Sequence, residues 1–190
     1  INSTMLAQWL PLDLGYNSVI PIKQCSLDKI GCSRCITLDE AESFQVYLDG
    51  GYDPESNRCS WAIALINCDS NGNECVYGSA GGKLSFDPTS HIFLGEETPG
   101  SFAAELFSNV IAVLFVKQFL MNYHDRKVGI RFDNTSAAES VQGLCAPNSD
   151  HLLVKFGVAQ FMSLVHMNVS YVHVKAHSNE PWNELVDSIC

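Results

Sequence analysis

Phe44-Gln45-Val46-Tyr47-Leu48-Asp49-Gly50-Gly51 and Lys127-Val128-Gly129-Ile130-Arg131-Phe132-Asp133 carry one pattern twice, and that pattern decides the fold. In both stretches apolar residues stand at offsets of −1, −3 and −5 from an Asp: Leu48, Val46 and Phe44 in the first, Phe132, Ile130 and Val128 in the second. Strict alternation is the mark of a half-buried β-strand. Each Asp therefore ends its strand on the face opposite the apolar set. Gly50-Gly51 reads as the break after the first strand. If the two strands are parallel neighbours, both acids sit at the carboxyl edge of a sheet, at the topological switch where open α/β sheets bind ligands.

Working outward, Ser60 to Asn67 (SWAIALIN) is a second apolar strand, Asn71-Gly72-Asn73 signals a turn, and Glu74 to Phe86 reads as a third strand. Three strands joined by short turns make an antiparallel meander. Thr98-Pro99 suits a helix start, Thr as cap and Pro in the first turn, for a helix running to about Tyr123 that is apolar nearly all round and hence central. After the fourth strand, Asn134 to Gln142 reads as a short helix ended by Gly143 and Pro147. Asn148 or Ser149 can cap a helix running to about His166, Val169 to Lys175 is a fifth strand, and Pro181 opens a last helix. The order β-β-β-α-β-α-α-β-α predicts an α/β domain: a mixed five-stranded sheet, an antiparallel meander followed by parallel strands, with helices on both faces.

This domain is expected over 44–190, after an N-terminal extension or connector over 1–43 that contains Pro11, Gly15, Pro21 and Gly31 and little periodicity. The 190 residues are 46% hydrophobic and 17% charged, enough for a sizeable core and incompatible with disorder. Phe102 to Met121 is interrupted by Glu105, Asn109, Lys117 and Gln118, so it reads as a buried helix and no membrane is expected. The eight cysteines lie in a core-rich chain without a secretory signal, which favours a reducing, intracellular setting, nucleus or cytoplasm, over disulfides. Cys25, Cys32 and Cys35 could hold Zn²⁺ with a fourth ligand, though no partner at zinc-finger spacing follows. The chain opens on Ile1 and stops soon after the last helix begins, as a piece of a longer polypeptide would.

Four acids fall at strand ends and on helices: Asp49, Glu105, Asp133 and Asp187. Singly, each has an ordinary reading: a turn residue before Gly-Gly, a Glu favourable to the helix dipole, a helix cap, a solvated helix face. Jointly they converge. Glu105 lies within Phe102-Ala103-Ala104-Glu105-Leu106-Phe107, where a carboxylate is costly unless paired or metal-bound. Clustered carboxylates stay ionised only with cations between them. Oxygen ligands select Mg²⁺ or Mn²⁺ over Zn²⁺, and two ions roughly 3.5–4 Å apart suit in-line phosphodiester attack.

On Tyr47-Leu48-Asp49-Gly50-Gly51, Ala103-Ala104-Glu105-Leu106, Arg131-Phe132-Asp133-Asn134-Thr135-Ser136-Ala137, Val174-Lys175-Ala176-His177-Ser178-Asn179 and Pro181-Trp182-Asn183-Glu184-Leu185-Val186-Asp187, the chain resembles the ribonuclease H family over about 44–190. The last segment is similar to RNase H domains attached to retroelement reverse transcriptases. The resemblance implies an RNase H-like fold and an endoribonuclease that cuts the RNA strand of an RNA–DNA hybrid with two Mg²⁺ ions, Mn²⁺ able to substitute. It implies metal ligation by Asp49, Glu105, Asp133 and Asp187, and assistance in proton transfer or product release by His177. Gly50 and Gly51 would let backbone approach the RNA, whose 2′-hydroxyls mark it off from DNA, and Ser101, Phe102 and Thr135 fall near positions the family uses in the minor groove. Neighbouring polyprotein domains, such as a reverse transcriptase, are the implied partners.

Two features depart from that pattern. The formal net charge is −10, where phosphate binding normally relies on Lys and Arg. Between Ser136 and His151 there is no room for the basic helix and loop that some members use as a grip, and only Lys155 and Lys175 are basic between Asn134 and Cys190. Affinity, not chemistry, is what these features put in question, and a neighbouring domain could supply the grip. Two alternatives remain: an RNase H-fold DNA nuclease (transposase, integrase or resolvase), although the integrase pattern ends with Glu rather than Asp, or an inactive connector module of a polyprotein.

Overall fold

The computed structural model describes residues 36–90, 92–176 and 179–190. Five strands form one sheet: β1 (Ser43–Asp53), β2 (Arg58–Cys68), β3 (Glu74–Lys83), β4 (Lys127–Phe132) and β5 (Asn168–His173). Their spatial order is β3-β2-β1-β4-β5. The β1–β2 and β2–β3 pairs are antiparallel, and β1–β4 and β4–β5 are parallel. The meander and the parallel pairing of the first and fourth strands are as expected from the alternation.

Among the described residues four α-helices cover the sheet: α1 (Ser101–Phe119), α2 (Thr135–Val141), α3 (His151–Met162) and α4 (Pro181–Asp187). The Phe44, Val46 and Leu48 side of β1 faces α1, and α2 and α3 pack on the far side of that helix. Gly157 of α3 lies against Val110 and Val141, so the missing side chain lets α3 close on α1 and α2. Every residue of α1 from Ala103 to Val116 is buried, because the helix has protein on all sides. By length and composition α1 is apolar enough to cross a membrane, but 78% of its most apolar window is buried inside the protein. Phe107 meets Trp61 at 6.2 Å between ring centres, and Phe119 contacts both Phe115 and Tyr77. Burying each such ring contributes roughly 1.5–3 kcal/mol. The opposite face carries a smaller core of Tyr47, Ala62, Ala64, Ile66 and Val76, covered by Trp182 and Val186 of α4.

Several boundaries differ from the sequence expectation, each for a local reason. β1 is not broken at Gly50-Gly51. Both glycines stay paired, with Trp61 and Ser60, and the strand continues to Asp53, where the Asp53 carboxylate accepts hydrogen bonds from Glu55 N and Ser56 Oγ and makes the turn. β3 stops at Lys83, where its pairing with β2 ends at Ser60. α1 begins at Ser101 after Gly100, with no side-chain cap, so Thr98-Pro99 lies before it. Past Phe119 the chain tightens into a short 3₁₀ turn over Met121–Tyr123.

α3 begins at His151 after Asp150, which stands at φ 58° and makes no side-chain cap. Its carboxylate instead accepts from Glu97 N at 2.8 Å, tying the loop before α1 to the start of α3. Asn134 does cap α2, accepting from Ala137 N at 3.1 Å. The packed region also reaches back before Phe44: Ile36 and Ala41 are buried in the main core, and the Arg126 guanidinium donates to the carbonyls of Leu38 and Ala41.

Candidate active site

The register of β1 and β4 sets the site. Tyr47 pairs with Arg131, so Asp49 and Asp133, each two residues further on, stand at the same level of adjacent parallel strands. Glu105 comes from the other side of the sheet. α1 crosses the end of β1 at Gly50, where any Cβ would run into the backbone of Ala104 and Glu105. The close crossing brings the Glu105 carboxyl over the strand edge. One oxygen each from Asp49, Glu105 and Asp133 lies within 4.8 Å of the others.

This grouping is electrostatically costly. Asp49 and Glu105 are 8% and 7% exposed. Burial, then the charges of Asp133 and Asp187, push the Asp49 carboxyl up to about 6, against a hydrogen bond from the Gly50 backbone. Burial, then Asp133 and Asp49, push Glu105 up to about 9. Burial also raises Asp133, while a hydrogen bond from the Asn183 side chain and the charge of His173 hold it down. Glu105 Oε2 and Asp133 Oδ1 are buried and, among the described residues, have no hydrogen-bond partner. Orphaned buried carboxylate oxygens aimed into one small space are what a cation would satisfy. The donor set, all carboxylate oxygen, fits Mg²⁺ or Mn²⁺.

A pH dependence follows for the protein kept free of divalent metal. A carboxyl raised above its unfolded value stabilises the fold only while protonated. That stability is complete below the unfolded value near 4 and is lost as pH rises through the folded values, here about 6 for Asp49 and about 9 for Glu105. A tenfold rise in a carboxyl's proton affinity on folding corresponds to about 1.4 kcal/mol, which moves Tm by about 3–6 °C for a chain of this size. In EDTA, Tm should fall as pH rises from 5 to 9, and millimolar Mg²⁺ should reverse the fall. A flat Tm in EDTA over that range would show that neither burial nor mutual repulsion raises these carboxyls.

Asp187 stands apart from this trio. It lies at the C-terminal end of α4, its charge acts on both Asp49 and Asp133, and its side chain lines an adjoining cleft. His177 lies outside the described residues, as do Cys25, Cys32 and Cys35. Of the expected substrate contacts, Ser101 and Thr135 are exposed at the first positions of α1 and α2, and Phe102 is half-buried against the main core. Gly50 and Gly51 are half-buried, and a Cβ on Gly51 would press on Ser60 and Cys190. Internal packing thus favours glycine at both positions, alongside the expected approach of backbone to substrate.

Residues that sequence reasoning passed over also hold the site. Asn183 is 4% exposed and one helical turn before Asp187, the spacing that puts two side chains on one helix face. That spacing was the available signal. His173 Nε2 lies 3.2 Å from Asp133 O, and Cys190 Sγ donates to Asp49 O at 3.3 Å. α4 is pinned to the sheet by Tyr47 OH donating to Glu180 Oε1 at 2.9 Å and by Trp182 Nε1 donating to Glu74 Oε2. These partners are far apart in sequence and have no local pattern.

No protein-family profile matches the chain, and no curated protein does. Solved structures do. An RNase H1 (LC11) isolated from compost by a metagenomic approach superposes with a TM-score of 0.53 at 21% identity, covering 77% of this chain and 94% of that one. The RNase H1 of the halophilic archaeon Halobacterium salinarum gives 0.50 at 16% identity, covering 77% and 92%. A structure of the LC11 enzyme in complex with an RNA/DNA hybrid gives 0.51 at 17% identity, covering 77% and 95%. The described domain has the RNase H-like fold.

Proposed function

We propose that this RNase H-like domain is a metal-dependent endoribonuclease that hydrolyses the RNA strand of RNA–DNA hybrids. The observation that carries the reading is the convergence of Asp49, Glu105 and Asp133 from three separate elements, with buried oxygens on Glu105 and Asp133 that have no hydrogen-bond partner among the described residues. A buried acidic trio is costly to the fold and has no structural use without cations. The similar solved enzyme bound to an RNA/DNA hybrid supports the choice of substrate.

Asp49, Glu105 and Asp133, joined by Asp187 from α4, would hold two Mg²⁺ ions, with Mn²⁺ as a substitute. Bound there, such ions supply the positive charge that lowers the proton affinity of an attacking water and stabilises the departing oxygen. The chain's own residues do the positioning. The Asn183 hydrogen bond fixes the Asp133 carboxyl, Gly50 admits Glu105, and the pins on Glu180 and Trp182 hold α4, and with it Asp187, on the sheet. His177 is assigned proton transfer or product release. Gly50, Gly51, Ser101, Phe102 and Thr135 are assigned the hybrid's minor groove, where the 2′-hydroxyl distinguishes RNA. The products are a 5′-phosphate and a 3′-hydroxyl. The likeness of Pro181–Asp187 to reverse-transcriptase-linked domains supports a neighbouring polyprotein domain, such as a reverse transcriptase, as its partner.

The test is cleavage of end-labelled substrates in Mg²⁺ or Mn²⁺. The hybrid's RNA strand should be cut, with 5′-phosphate ends, and duplex DNA left intact. Cutting of duplex DNA but not of hybrid would replace the reading with a DNA nuclease. No cutting of either, together with no Mg²⁺ binding by calorimetry, would leave an inactive module.

A further inference from the structure

A cleft of about 410 Å³ lies beside the carboxylates, walled by the β1–β2 turn, the end of β3 and the last turn of α4. Arg58 and Lys83 line it together with Gly51, Ser60, Asp187 and Cys190. Register places these groups on one side of the sheet. Gly51 pairs with Ser60, and Ser60 with Lys83, so the three form one row across three strands. Arg58 stands two residues before Ser60 on the same face, and Asp49 two residues before Gly51 on that face too. From Asp49 to Lys83 is two strands across and two residues along, roughly 12 Å between backbones.

We propose that this cleft is a phosphodiester-binding subsite in which Arg58 and Lys83 hold backbone phosphates of the nucleic acid, away from the bond being cut. The inference rests on the nuclease reading for the identity of its ligand. Both side chains are exposed, and among the described residues neither makes a side-chain hydrogen bond. Of the other described cations, Lys175 follows β5 and has an interaction of its own, and the rest are committed or remote. Lys117 is bonded to Gln160, Arg126 to the backbone of Leu38, Asp39 and Ala41, and Arg131 to Gln45. Lys127 begins β4, at the end of the sheet opposite Asp133, and Lys155 is on α3 over the far face.

Of the acids in the cleft, Asp53 faces Arg58 across the β1–β2 pair and feels its charge, but among the described residues it makes no hydrogen bond to it. Asp53 is engaged by Glu55 N and Ser56 Oγ in its turn, and Asp187 closes the inner end toward Asp49. A chain of net charge −10 repels a polyanion at long range, so its grip must be local. A guanidinium and an ammonium on adjacent strands supply that grip through charge-assisted hydrogen bonds to phosphate oxygens. They answer the lack of basic residues between Ser136 and His151.

The test is binding, not turnover: anisotropy of a fluorescent RNA–DNA hybrid with the full chain in EDTA at 50 to 200 mM salt. Each phosphate contact contributes about 0.9 to the slope of log affinity on log salt. Arg58→Gln with Lys83→Gln should therefore reduce the slope by about 1.8. Over this fourfold salt range the double variant should lose about 12-fold less affinity than the wild type. Lys127→Gln should match the wild type. Neutral methylphosphonate linkages, placed in the RNA or in the DNA strand, should erase the difference from one strand only, and that strand is the one held.

An unchanged slope in the double variant, an equal reduction in Lys127→Gln, or no effect of neutral linkages in either strand would overturn the subsite. If the wild type cuts hybrid while the slopes agree, the subsite alone fails. If the slope falls in a protein that cuts no hybrid, the nuclease reading alone fails.

Discussion

Asp49→Asn should abolish hybrid cleavage, by about 10³-fold or more, the upper end of what one preorganised electrostatic group is worth, and should at the same time raise the melting temperature of the metal-free protein. The two effects have one cause. Asp49 sits within 4.8 Å of Glu105 and Asp133 through their carboxyl oxygens, and its own proton affinity is raised by burial first and by the neighbouring charges second. Asn is nearly isosteric, so packing survives. The change removes one buried negative charge at neutral pH, relieves its neighbours, and leaves the cation-holding set one ligand short. Activity falls and stability rises, the exchange expected where function holds a fold away from its stability optimum. The Tm gain should be larger at pH 8 than at pH 5, where the wild-type carboxyl is already largely protonated. Cleavage by the variant at the wild-type rate would remove Asp49 from the chemistry. A Tm that falls in EDTA at pH 8 would mean that Asp49 is a structural acid with a compensating partner.

How far the site could be read from the sequence depends on the range of the signal. The equal offsets of Asp49 and Asp133 from their apolar residues are local, and the Tyr47–Arg131 pair carries both acids to one level. Glu105 was legible because a charge inside an apolar run needs a reason. The turn at Asp53 was harder. Gly-Gly is a good break signal in isolation, but here β1 continues because β2 pairs with both glycines and the turn is made by Asp53 side-chain hydrogen bonds. The start of α3 escaped for a similar reason. Asp150, not Asn148 or Ser149, precedes it, and its carboxylate serves Glu97 N, 53 residues away in the chain. The Tyr47–Glu180 and Trp182–Glu74 pins span 133 and 108 residues, and no periodicity within a strand or helix carries that information.

Gly50→Ala should cost stability and chemistry together, and this separates two explanations of the same residue. From sequence, Gly50 leaves backbone open to RNA. In the structure, the space over its Cα is taken by the backbone of Ala104 and Glu105. Those are main-chain atoms of a buried helix, so they cannot swing aside as a side chain would. Relief requires α1 to shift or β1 to bend, and such overpacking costs about 1–3 kcal/mol, a Tm loss of about 2–12 °C. The shift moves the residue that bears the Glu105 carboxyl, and a misplacement of about 1 Å can cost about 10²-fold in rate. Gly100→Ala is the matched control: it precedes the same helix with extended backbone and has nothing within 4 Å of its would-be Cβ, so its Tm should stay within about 0.5 kcal/mol equivalent of wild type. A Gly50→Ala protein with unchanged Tm and unchanged kcat but a raised KM for hybrid would return Gly50 to the substrate. A lowered Tm with a lowered kcat assigns it to the crossing of β1 and α1 that brings three carboxylates to one point.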